Sequence, residues 1–172
     1  MSSQRRSILR GFVPSCEIFK MINWAGSAAG LVPELVAALE RAVGAYEAAT
    51  GPAPVTVTSG HRTLWRQAEL MASLTPAQLD ALYGRHGEPE YLPPLKALWA
   101  AGVPPHPTAV YAILAKRRAG YISSHLYGAA VDLAVEGLVD AARLSRLLEA
   151  EGFTVLDERD AGLPCLHATF RA

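Results

Sequence analysis

His125 and Asp132 stand seven residues apart in Ser123-Ser124-His125-Leu126-Tyr127-Gly128-Ala129-Ala130-Val131-Asp132, with a glycine between them. The stretch reads as a loop that runs into an apolar strand. With the imidazole before the Gly128 turn and the carboxylate on the strand after it, both groups can converge on one point, which is the geometry of a metal site. Zinc takes His nitrogen and Asp oxygen in a tetrahedral shell, and a catalytic zinc keeps three protein ligands and an open position for water. A third ligand is therefore required. His167, in the last apolar run of the chain, is the best candidate, and any fold must carry that run to the 125–132 segment.

The rest of the chain supplies elements for one α+β domain over 1–172. Pro33 fits a first helical position, and Leu35, Val36, Leu39, Val43 and Tyr46 recur at helical spacing, so 33–49 is expected to be a core-packing helix. After the Gly51-Pro52-Ala53-Pro54 turn, residues 55–58 are a β-branched strand. Helices are expected over 64–74, from the Thr75 cap onward, over 108–118 and over 138–150. Strands are expected over 129–135, 153–156 and 165–170, the last two as an antiparallel pair. Residues 84–107, rich in Gly and Pro, read as an insert forming a lid or cleft rim, with one helical stretch at 95–99. Residues 1–30 read as an N-terminal extension. The order predicts helices packed on one face of a small antiparallel sheet.

Composition narrows the partners. With 16 basic and 16 acidic residues, the formal charge is zero, which points away from nucleic acid and from anionic membrane surfaces. No run of about 18 apolar residues is present, so no membrane span is expected. Arg5, Arg6 and Arg10 resemble a signal-peptide n-region, but Pro14, Glu17, Lys20 and Asn23 break up any apolar run after them. Synthesis in the cytoplasm without a signal peptide is the expectation. Two cysteines, Cys16 and Cys165, do not make a disulfide framework. His86 and His106 lack partners at ligand spacing and read as surface residues. Trp65, Trp99 and Tyr127 line either a cleft or the core.

The pattern Ser-x-His-x-x-Gly-x-Ala-x-Asp with a closing His resembles the zinc D-alanyl-D-alanine carboxypeptidase and dipeptidase family. That family also includes phage L-alanyl-D-glutamate endolysins, and it shares its fold with hedgehog signalling domains. Ser123, His125, Gly128, Ala130 and Asp132 match it. Upstream, Thr58-Ser59-Gly60-His61-Arg62-Thr63 followed by Gln67 is similar to the family's Ser-Gly-Tyr-Arg-Ser-x-x-x-Gln segment, with His61 in place of Tyr. The resemblance implies a hedgehog/DD-peptidase-like fold and Zn2+ on His125, Asp132 and His167. It implies that Arg62 binds a substrate carboxylate or the oxyanion, and that Ser123 and Gln67 hydrogen-bond the substrate. The implied activity is hydrolysis of peptidoglycan stem peptides or related D-amino-acid peptides. A protein that cleaves cell wall without a signal peptide reaches it by lysis or an export route.

One family residue is absent. The catalytic Glu three residues before the last His is Pro164 here, and proline moves no protons. The substitutes, in expected order, are Asp160, Glu158 and His61; related members of the wider fold carry a base further upstream of the last ligand, which favours Asp160. Cys165 shares a strand face with His167 and is either a fourth ligand or a small buried hydrophobe. Besides the enzyme, the chain is compatible with a catalytically silent zinc domain that binds peptide or cell wall, and with a phage structural component on the same fold.

Overall fold

Pro33 opens α1 (Pro33–Thr50) at a position where its missing N–H has no partner to lose. Leu35, Ala38, Leu39, Ala42, Val43 and Tyr46 then fall on one buried face. In this computed structural model, which describes residues 22–84, 89–117 and 121–171, α1 connects β1 (Ile22–Trp24) to β2 (Val55–Ser59). The two strands pair in parallel, Ile22 against Val55. Parallel neighbours need a crossover connection, and α1 is that connection. The all-antiparallel expectation is therefore corrected at one edge, inside the 1–30 segment; the described part of that segment begins with a strand.

The remaining strands are β3 (Ala130–Ala134), β4 (Phe153–Asp157) and β5 (Cys165–Phe170). The sheet is mixed and five-stranded, ordered β1-β2-β3-β5-β4, and from β2 onward each strand is antiparallel to its neighbour. Alternate residues Val55 and Val57, Val131 and Leu133, and Leu166 and Ala168 are buried against α1 and α6 (Ala141–Ala150). The intervening residues look out from the opposite face. Helix α6 begins later than the 138–150 reading because Asp140 accepts a hydrogen bond from the Arg143 amide and so fixes the start.

A second apolar cluster joins α2 (Leu64–Ser73), α3 (Pro76–Tyr83), α4 (Leu92–Ala97) and α5 (Pro107–Lys116). Thr75 caps α3 with a reciprocal capping box through Gln78. Tyr91, Leu92 and Leu95, inside the expected insert, are buried in this cluster. Pro93 and Pro94 fit the first turn of α4, where proline is tolerated, so this Pro-rich stretch is helical from residue 92. A 3-10 turn, Leu98–Ala101, follows it. His106 caps α5 by accepting from the Thr108 amide. Trp99 packs on the helical cluster, whereas Trp65 and Tyr127 are exposed. His86 and Cys16 lie outside the described residues. No helix among the described residues is long and apolar enough to cross a membrane.

Gly128 ends the 3-10 turn Ser124–Tyr127 in the left-handed region, φ 68°. A Cβ there would lie 2.0 Å from the Gly30 carbonyl oxygen. Gly128→Ala is therefore expected to lower stability by roughly 2–4 kcal/mol, from left-handed strain plus overpacking. A shift in denaturant midpoint at unchanged slope checks this.

A candidate metal centre on the open face of the sheet

Cross-strand register builds the site. On the face turned away from α1 and α6, Ser59 of β2 stands opposite Asp132 of β3, and Asp132 opposite His167 of β5. An irregularity between Val57 and Ser59 shifts β2, which places Ser59 rather than Thr58 against Asp132. The third member, His125, comes from the 3-10 turn and is almost fully buried. Ser123 caps that turn by accepting from the His125 amide. The turn is fastened to the end of β2 twice: the Arg62 amide donates to the His125 carbonyl at 3.2 Å, and His125 Nδ1 donates to the Gly60 carbonyl at 2.7 Å.

With Nδ1 committed as a donor, His125 directs Nε2 at the other two groups. It lies 3.2 Å from Asp132 Oδ1 and 3.3 Å from His167 Nδ1, while His167 Nδ1 and Asp132 Oδ1 are 2.8 Å apart. Ligands on adjacent corners of a tetrahedron with bonds of 2.0–2.1 Å are roughly 3.3 Å apart. Two edges of the triangle match that spacing and the third is shorter; His125, which is buried, and the partly buried Asp132 and His167 can together hold a metal. Outer partners are also in place. His167 Nε2 is 3.1 Å from Thr169 Oγ1, and Asp132 Oδ2 accepts from Arg62 at 2.8 Å. Such partners orient metal ligands and set their basicity. Thr169→Val, close in shape but without the hydroxyl, is expected to weaken metal affinity by about 10- to 100-fold in a competition titration.

Burial would raise the Asp132 carboxyl, but hydrogen bonds from His125 and His167 and their charges hold it far below the usual carboxylate range. Arg62 is nine-tenths buried in the cleft wall. Its fork donates to Asp132, to Ser59 at 2.9 Å and to Gln67 at 3.4 Å, and its Nε is buried without a partner. Gln67, expected on the substrate, is fully buried; its amide donates to the Tyr83 hydroxyl at 2.8 Å. Gln67 therefore orients Arg62 from behind. Burial pushes the Tyr83 hydroxyl up to about 12, partly offset by the Arg62 charge and the Gln67 hydrogen bond.

The three candidates for the base separate clearly. Asp160 is exposed and does not line the cleft. Glu158 is half-buried and lines it, with a carboxylate oxygen within 4.8 Å of Asp132 and of Cys165 Sγ. Burial raises its pKa, the Asp132 charge adds to that, and His167 and His125 act against it. His61 also lines the cleft, is exposed, and has its ring against Gly30. Cys165 donates to Glu158 at 3.5 Å, its thiol held protonated by burial and by the Asp132 and Glu158 charges. It belongs to a group with Asp132 and Glu158, not to the group of His125, Asp132 and His167.

These residues open onto a cleft of about 1130 Å³. None of the described residues of 84–107 lines it. Sequence reasoning did not find Ser59, Gly60, Tyr83 or Thr169. Ser59 and Gly60 sit in the Arg62 block itself, and Thr169 lies two residues from His167 on the same strand face, so adjacency to the motif residues is the signal that marks them. No family model matches the chain, and neither a curated protein nor a solved structure does.

Proposed function

We propose that the chain is a zinc metallopeptidase acting on peptidoglycan stem peptides or related D-amino-acid-containing peptides. The observation that carries the reading is the triangle of His125, Asp132 and His167 at the floor of an open cleft, with the Glu158 carboxylate beside it. Two His nitrogens and one Asp oxygen suit zinc, and three ligands leave one position for water. Bound there, zinc would polarise the scissile carbonyl and bring its water's pKa toward about 7.

The protein's own groups divide the remaining work. Glu158 accepts the proton of the attacking water and returns it to the leaving amine, a task suited to a carboxyl whose pKa lies above its ordinary value. Arg62 occupies the second oxygen of Asp132, so Oδ1 stays turned toward the two imidazoles. Any further role of Arg62 on the oxyanion draws on a fork already held in place by Ser59 and Gln67. The test is hydrolysis of peptidoglycan fragments that disappears with chelator and returns with zinc.

Pro164 favours a second reading, a catalytically silent zinc domain that binds peptide or cell wall. A zinc-loaded protein that binds fragments without cleaving them selects it. A phage structural component on the same fold would do neither.

A further inference from the structure

The open face of the sheet forms the cleft floor, and cross-strand register lays it out in rows. The metal row is Ser59, Asp132, His167 and, on β4, Leu156. Two residues further along β5 the row is Ala130, Thr169 and Thr154, all short side chains. Two further still comes Arg171, whose amide donates to the Gly152 carbonyl at 3.1 Å, so its backbone keeps the direction of the strand. His167, Thr169 and Arg171 therefore share a face, and all three line the cleft. Gly152, across from Arg171, puts no side chain in its way.

Charge divides along these strands. At the other end of β5, Cys165 donates to Glu158, and the amide of Val135, the residue before Glu136, donates to the Pro164 carbonyl. Both carboxylates, Glu136 and Glu158, line the cleft at that end, away from Arg171. The other guanidinium groups of the lining are engaged: Arg62 holds Asp132, and Arg66 pairs with Glu69. Arg171 is exposed, and among the described residues it has no ion-pair partner. The fork that the family resemblance would assign to a substrate carboxylate, that of Arg62, is thus already committed, while that of Arg171 is free.

We infer that Arg171 is a carboxylate subsite, selecting peptides that bear an anionic group about two to four residues from the scissile amide. The inference rests on the peptidase reading and deepens it by naming the charge and length of the substrate. Arg171 follows His167 by four residues of extended chain, roughly 13 Å, and an extended peptide advances at a similar rate. Only short side chains stand between the two points, so a peptide can lie along the floor. The fork matches a carboxylate, and Glu136 and Glu158 repel one at the other end. A bare dipeptide is too short to span from the metal to Arg171. Longer stem peptides, with free carboxylates along their length, are not.

The experiment uses blocked peptide hydroxamates, whose zinc-binding group anchors at the metal and fixes the register. Each carries either Glu or its neutral isostere Gln at two, three or four residues from the hydroxamate, with the peptide extending from either side of it. Dissociation constants are measured on the full chain with one equivalent of zinc supplied. On one side, at one or more of these positions, the Glu peptide is expected to bind about 3- to 10-fold tighter than the Gln peptide, as for a partly exposed ion pair with fork geometry. Arg171→Gln should erase that preference with the Gln peptide's affinity unchanged, and Arg171→Glu should reverse it. No preference at any position, or one that survives Arg171→Gln, overturns the subsite. Hydrolysis of peptidoglycan fragments by the unmodified chain is scored separately: a chain that keeps the preference and cleaves nothing rejects the peptidase reading and keeps the subsite.

Discussion

Glu158→Gln is expected to lower peptide hydrolysis by about two to four orders of magnitude, the usual contribution of a positioned general base, with zinc content unchanged. A base must reach the attacking water, and the Glu158 carboxylate lies within 4.8 Å of Asp132, itself part of the ligand triangle. Asp160→Asn, by contrast, is expected to keep near-wild-type turnover because Asp160 faces solvent. His61→Ala should lie between the two, since its ring borders the cleft but rests against Gly30. Steady-state rates on a peptidoglycan fragment, with metal content measured on the same samples, check all three. Full activity in Glu158→Gln would return the role to His61 or to another group of the cleft.

His125→Ala is expected to abolish metal uptake, and with it all hydrolysis. The substitution removes one of three candidate ligands from a set that is pre-formed by hydrogen bonds to Gly60, Arg62 and Thr169. It also leaves Asp132 buried with one fewer imidazole to offset its charge. The comparison to make is metal content after dialysis: about one equivalent of zinc in the unmodified chain, against less than a third in the variant. A third of an equivalent or less in both would remove the foundation of the zinc reading. Asp132→Asn should act in the same direction and, in addition, release Arg62 from its ion pair.

How much of the molecule is readable from sequence differs by residue. The convergence of His125, Asp132 and His167 is, because His125 and Asp132 flank a glycine turn and His167 sits in a strand-like run; register then completes it by pairing Asp132 with His167. Strands β2 to β5 and the long helices announce themselves through alternation and helical spacing. The first strand does not, since three residues, Ile22–Trp24, carry no periodicity, and their parallel pairing depends on the α1 crossover. The order of the candidate bases is also beyond reach. Glu158 and Asp160 share a four-residue 3-10 turn, where residues two apart point in different directions, so one can face the cleft while the other faces water. Sequence alone does not say which. Gln67 is legible as part of the Arg62 block but not as its support, because its partner Tyr83 comes from the next helix.

The sheet's alternation separates what the protein can change from what it cannot. On β3 and β5 the residues Val131, Leu133, Leu166 and Ala168 fill the core, while Asp132, Cys165, His167 and Thr169 meet the cleft. Trimming a core member to a smaller residue costs up to about 2–5 kcal/mol, enough to threaten a marginally stable domain. Exchanging a cleft member removes little packed volume. Asp132 is the exception, because its exchange strands the buried Arg62 charge; at the other cleft positions selection can explore new chemistry with little risk to folding, and the same alternation tells an engineer which positions to randomise.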